Sequence, residues 1–90
     1  MLSQGEAVVL GEPLFIDLWS LVGLEPVLCQ DPDDLLSLLP ALLERRDLIC
    51  VVVDEGWFAR LAPELRSRLE TMELPLWLPL PELDMQEVAG

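Results

Sequence analysis

The side chains with the most chemical potential in this sequence are carboxylates. Asp54 and Glu55 directly follow the apolar run Leu48-Ile49-Cys50-Val51-Val52-Val53, and Glu12 follows an earlier apolar run that closes at Gly11. A carboxylate at the mouth of a buried strand can accept a phosphoryl group or move a proton, provided a cation compensates the charge that develops. The sequence holds no His and no Lys, and its five basic residues are Arg45, Arg46, Arg60, Arg66 and Arg68. Without Lys a GxxxxGK[ST] phosphate loop is excluded, and no GxGxxG follows the first apolar run. Without His, Ser-His and Cys-His nucleophile pairs cannot form. Cys29 and Cys50 are too far apart for a CxxC motif, and with no His beside them the usual zinc sites are excluded. Each cysteine lies in an apolar run and reads as a buried, reduced thiol behaving as a small hydrophobe. Acid–base catalysis by carboxylates alone needs a pair whose surroundings drive their pKa values apart, and no pair is placed by pattern to do so. The expectation is a chain with no catalytic residue, no cofactor, no metal site and no small-molecule ligand.

The elements that would hold these residues alternate between strand and helix. Glu6-Ala7-Val8-Val9-Leu10 reads as a first strand stopped at Gly11-Glu12-Pro13. Pro13 suits a first helical turn, Leu14, Leu18, Leu21 and Val22 recur at helical spacing, and Gly23 reads as the C-cap. Glu25-Pro26-Val27-Leu28-Cys29 is a strand that its proline confines to an edge. Asp31-Pro32-Asp33-Asp34 is a helix start: an N-cap, a proline at the first helical position and two acids facing the positive end of the dipole. That helix runs through Leu35, Leu36, Leu39, Leu42 and Leu43 to Arg45-Arg46, with a kink or break expected at Pro40, where a helix loses about 3 kcal/mol. The run from Leu48 to Val53 reads as a strand buried on both faces of a parallel sheet. Gly56 opens a turn, and Leu61, Leu65, Leu69 and Met72 form the stripe of a surface helix whose main body starts near Pro63. Leu74-Pro75-Leu76-Trp77-Leu78-Pro79-Leu80 is a last strand restricted to an edge by two prolines.

The order is β-α-β-α-β-α-β, which implies a small four-stranded parallel sheet with helices on both faces, a Rossmann-like or receiver-like α/β fold. Residues 1–81 are expected to form one α/β domain and residues 82–90 a short acidic C-terminal tail, whose Glu82, Asp84 and Glu87 read as solvated rather than as a cation site. In the response-regulator receiver family, a fold of this class, a phosphoacceptor aspartate stands where Asp54 does. The receiver mechanism also needs an acidic pair after strand one and a later lysine, whereas here Glu12 is alone and lysine is absent. Asp54 therefore reads as a strand end and helix cap, and a receiver-like domain that binds a partner without phosphorylation is the alternative function.

Ninety residues are near the lower end of what holds one core, yet 52% are hydrophobic and the mean hydropathy is +0.42. So small a body has too much surface to hide them all, and a contiguous exposed set marks an interface. The net charge of −12 disfavours nucleic acid and anionic lipid surfaces. No apolar run reaches the roughly 18 residues needed to span a bilayer, and residues 1–6 lack the features of a signal peptide, so the cytoplasm is expected.

In its order and spacing of segments the chain resembles the F-subunit family of the V/A-type rotary ATPases. Cys50-Val51-Val52-Val53-Asp54-Glu55 is similar to that family's third strand and acidic turn. Pro63-Glu64-Leu65-Arg66-Ser67-Arg68-Leu69 is similar to the helix that follows, and Leu74-Pro75-Leu76-Trp77-Leu78-Pro79-Leu80 to its last strand. Asp31-Pro32-Asp33-Asp34-Leu35-Leu36, ending at Leu43-Glu44-Arg45-Arg46, shares its style, and the likeness runs over roughly residues 6–81. The resemblance implies a non-catalytic rotor component of the central stalk, bound to the coiled-coil D subunit of that stalk. It also implies a place in the cytoplasm beside the membrane and a contribution to proton-coupled ATP synthesis or hydrolysis. The family departs from this sequence in continuing into a C-terminal helix, and in starting its first strand nearer the initiator methionine. Tryptophan is enriched at interface hot spots, so Trp57 with Phe58, then Trp77, then Trp19 are the expected partner contacts, the alternative being that the tryptophans fill the core.

Overall fold

The computed structural model describes residues 5–81; residues 1–4 and the acidic segment 82–90 lie outside the described residues. The elements are β1 (Glu6–Gly11), α1 (Pro13–Ser20), β2 (Glu25–Leu28), a 3-10 turn (Pro32–Asp34), α2 (Leu35–Leu43), β3 (Leu48–Asp54), α3 (Glu55–Ala59), α4 (Pro63–Glu70) and β4 (Leu76–Leu80). All strand pairs are parallel, in the order β2-β1-β3-β4. The proline-bearing strands β2 and β4 are the two edges, because proline cannot donate to a ladder on both sides.

Several local expectations are sharpened. Asp31 caps as anticipated, its carboxylate accepting the Asp33 N–H at 3.0 Å, but the first turn is 3-10 and the α-helix begins only at Leu35. Of the kink or break expected at Pro40, the break does not occur: α2 runs through it to Leu43. Pro40 and Leu36, whose carbonyl loses its intrahelical donor, are both exposed, so water can serve that carbonyl. Gly23 does not close α1 directly; the helix ends at Ser20, and a further turn reaches Gly23 at φ +102°. Gly11 swings the chain from β1 into α1 at φ +148°, a value open to a residue without Cβ.

The core is in two layers. On one face of the sheet Val8, Leu10, Val51, Val53 and Trp77 pack with Leu35, Leu39 and Leu42 of α2, Trp57 and Phe58 of α3, and Leu69 of α4. On the other, Val9 and Val52 meet Phe15 and Ile16 of α1, with Trp19, Leu24, Cys50 and Leu80 against them. Helices therefore lie on both faces, three on one and one on the other among the described residues. The expectation that β3 is buried on both faces along its length is corrected at its start, where Ile49 is exposed and Cys50 half-buried. A register shift between Glu6 and Ala7 opposite Leu48 and Cys50 places Ile49 outside the regular alternation.

At the opposite end of the sheet from the β3–α3 turn, Arg45 fastens three elements. Its guanidinium donates to both carboxylate oxygens of Glu25, at 3.1 and 2.9 Å, and to Glu6 at 2.6 Å. The hydrogen bonds from Glu25 and then Glu6 push its pKa up from an already high value, so the charge is permanent. The partners are about half exposed, which limits such a clasp to roughly 0–1 kcal/mol per pair.

Burial sets the cost of substitution. Trp57→Ala, at a fully buried side chain, is expected to lower stability by about 3–5 kcal/mol. Leu14→Ala, at an exposed one, is expected to stay within about 0.5 kcal/mol. Urea denaturation followed by far-ultraviolet circular dichroism measures both; equal losses would contradict the assignment of the core.

Candidate functional site

The carboxyl ends of the strands, where ligands of open parallel sheets bind, carry the carboxylates Asp54 and Glu12. Asp54 ends β3 in extended conformation and N-caps α3, its Oδ1 accepting the Gly56 N–H at 2.9 Å. Glu12, after β1, accepts a hydrogen bond from Arg60 at 3.2 Å. The two acids that resembled chemistry are thus engaged as a cap and an ion pair. Among the described residues no three His, Cys, Asp or Glu side chains converge as metal ligands would.

The thiols sit on opposite faces. Cys29 is buried in the three-helix layer; burial pushes its pKa up first, and the charges of Asp34 and Asp31 add to the rise. Cys50 is half-buried beside the α1 layer, and burial raises its pKa as well. A raised pKa leaves less thiolate at neutral pH, so neither is primed as a nucleophile.

Of the four expected partner contacts, three lie in the interior, where the alternative reading of core-filling aromatics put them. Trp57 and Phe58 are 1% and 4% exposed, and Trp77 is 5% exposed. Because α3 leaves β3 without a loop, it lies flat on the three-helix face and turns Trp57 and Phe58 inward. The Trp57 indole N–H donates to the buried Cys29 carbonyl at 2.8 Å, tying α3 to the end of β2. Trp77, although on an edge strand, points into the same layer beneath α3 and α4. A side chain so enclosed cannot meet a partner unless the fold opens. Trp19 is half-buried against Phe15, with ring centroids 6.3 Å apart. The indole N–H groups of Trp19 and Trp77 are shielded with no acceptor among the described residues, a cost core tryptophans seldom carry.

The exposed apolar side chains are leucines and a few β-branched residues instead. Leu14 and Leu21 are 85% and 83% exposed, with Leu18 and Val22 also open, and Leu76 and Leu78 of β4 are 51% and 40% exposed. β4 alternates: Trp77 goes to the three-helix layer, so Leu76, Leu78 and Leu80 face the α1 side. That period-two signal is present in Leu76-Trp77-Leu78, and it puts the leucines, not the large aromatic, on the open side. On the far layer Leu36 and Leu43 of α2 are exposed too. No helix among the described residues is long and apolar enough to cross a membrane.

Acetyl phosphate with Mg²⁺ is expected to leave Asp54 unlabelled, as intact-mass spectrometry would show; a stable acyl phosphate would restore the receiver reading. Asp54→Ala is expected to cost about 1 kcal/mol through loss of the cap. Iodoacetamide should alkylate Cys50 before Cys29, and both slower than a free thiol. Both rates should climb only above the ordinary thiol range, because the raised pKa values postpone ionisation.

No family model matches the sequence, and no curated protein matches it. A solved structure does match the fold: the crystal structure of the F subunit of the V-type ATP synthase from Archaeoglobus fulgidus superposes with a TM-score of 0.68. The match covers 87% of this chain and 99% of that one at 19% sequence identity. At that identity what the two chains are shown to share is the four-stranded parallel α/β fold.

Proposed function

We propose that this chain is a non-catalytic component of the central stalk of a V/A-type rotary ATPase or ATP synthase, docking onto the coiled-coil D subunit of the stalk. It would act in the cytoplasm, peripheral to the membrane as part of the complex, with residues 1–81 as its docking body. The observation that carries this reading is the likeness of fold to the Archaeoglobus fulgidus protein along nearly the whole of that chain. Two features agree with it. Asp54 and Glu12, the residues best placed for chemistry, serve as a helix cap and an ion-pair partner. The leucines on α1 and β4 leave an apolar surface that an isolated small body has no reason to keep.

The test is co-expression with the coiled-coil stalk protein encoded in the same genome. An equimolar complex that survives size-exclusion chromatography at micromolar concentration is expected, corresponding to at least about 8 kcal/mol of binding free energy. Separate elution of two folded proteins would sink the assignment.

A further inference from the structure

Strand spacing and helix width set how many helices a sheet face can hold. Strands lie about 4.8 Å apart and a helix with its side chains is about 10 Å wide, so one helix covers about two strands. A four-stranded sheet thus has room for two helices on each face. The far face carries α2, α3 and α4. On the near face, among the described residues, there is only α1, which packs on β1 and β2 and reaches Val52 of β3. Over the other half of that face, above β3 and β4, no further element lies among the described residues. There Cys50 is half-buried, and Leu76 and Leu78 are open, while their neighbours Val51 and Trp77 on the covered face are buried.

The helix beside this gap is apolar nearly all round. Phe15 and Ile16 face the sheet, Leu14 and Leu18 face outward, and Asp17 and Ser20 are the only polar side chains of α1 after Pro13. Helices of that composition normally have neighbours on more than one side. The elements beside the gap, α1 and β4, carry no basic side chain of their own. Of the five arginines, Arg45 is held by Glu6 and Glu25, Arg60 by Glu12, and Arg66 and Arg68 belong to α4 in the opposite layer. Arg46 lies in the turn between α2 and β3. Asp17 on α1 has no ion-pair partner among the described residues and Glu12 at its start is balanced by Arg60, on a chain of net charge −12. A second copy would bring the same negative charge to the same surface. The complementary occupant is apolar with a basic margin.

We propose that the gap over β3 and β4 receives one amphipathic helix of a partner protein. Its apolar stripe seats on Cys50, Leu76 and Leu78 beside α1, and its margins carry Lys or Arg. This is helix-in-groove recognition, with α1 as one wall and the bare half-sheet as the floor. The face and its chemistry are the same whichever assembly supplies the helix.

Two synthetic helical peptides with the same leucine stripe, one flanked by lysines and one by glutamates, test it on the isotope-labelled chain. The lysine peptide is expected to shift backbone amide resonances of α1, β3 and β4, to slow alkylation of Cys50, and to bind at least about tenfold more tightly than the glutamate peptide. Leu76→Asp and Leu78→Asp should each weaken binding by about tenfold or more, whereas Leu36→Asp, exposed on the opposite layer, should leave it unchanged. Circular dichroism confirms that the variants fold, and the comparison of the two peptides stands on the unaltered chain in any case. Shifts confined to α2 and α4, equal binding of the two peptides, or no binding would overturn the proposal. So would concentration-dependent shifts along β4 without peptide, which would make a second copy the occupant. The same holds for shifts in α1 and β4 on deleting residues 82–90, which would assign the gap to the chain's own end. Binding of the lysine peptide here without co-elution with the stalk coiled coil keeps this proposal and removes the stalk assignment. Capture of that coiled coil through α2 does the reverse.

Discussion

Every feature of this fold depends on covering the two faces of β1 and β3. Val8, Leu10, Val51 and Val53 point one way and Val9 and Val52 the other, so these central strands hold apolar rows that water must not reach. Parallel pairing makes each connection cross over the sheet, and the helix it carries is the cover. The three-helix layer does this thoroughly, down to a buried hydrogen bond between the Trp57 indole and the Cys29 carbonyl. The single-helix layer does it over half the sheet.

That asymmetry links the energetics to the function. In the three-helix layer the large aromatics are enclosed and serve the core, while Leu36 and Leu43 of α2 remain open. In the open layer Leu76 and Leu78 of β4 are exposed because their strand is at the edge of the sheet, where among the described residues no second helix joins α1. The same strand presents Trp77 to the core and Leu78 to water within two residues, a direct consequence of the pleat. Electrostatics then narrows what can settle on the open side, since Arg45 and Arg60 are engaged at the sheet ends and Arg66 and Arg68 are stationed on the opposite layer.

At the carboxyl end of the sheet, where folds of this class bind ligands, the carboxylates are engaged locally. The Asp54 carboxylate caps α3, and Glu12 meets Arg60 across the strand ends. The first task follows from local backbone geometry and the second from the sheet bringing the ends of β1 and α3 together.

Much of the architecture was legible in the residues themselves. Apolar runs of β-branched side chains marked β1 and β3, and prolines marked β2 and β4 as edges, because a missing N–H acts locally and cannot be repaired at a distance. Asp31 and Asp54 announced their caps for the same reason: a cap is decided within three residues. What the sequence could not decide was which side each apolar residue would face and what would lie over it. Trp57 and Phe58 read as partner contacts following a turn until the short α3 laid them against the sheet, and Leu74 to Leu80 read as an edge strand without showing that, among the described residues, only α1 lies on the side that Leu76 and Leu78 face. Burial is a property of two surfaces brought together, and only tertiary structure supplies the second one.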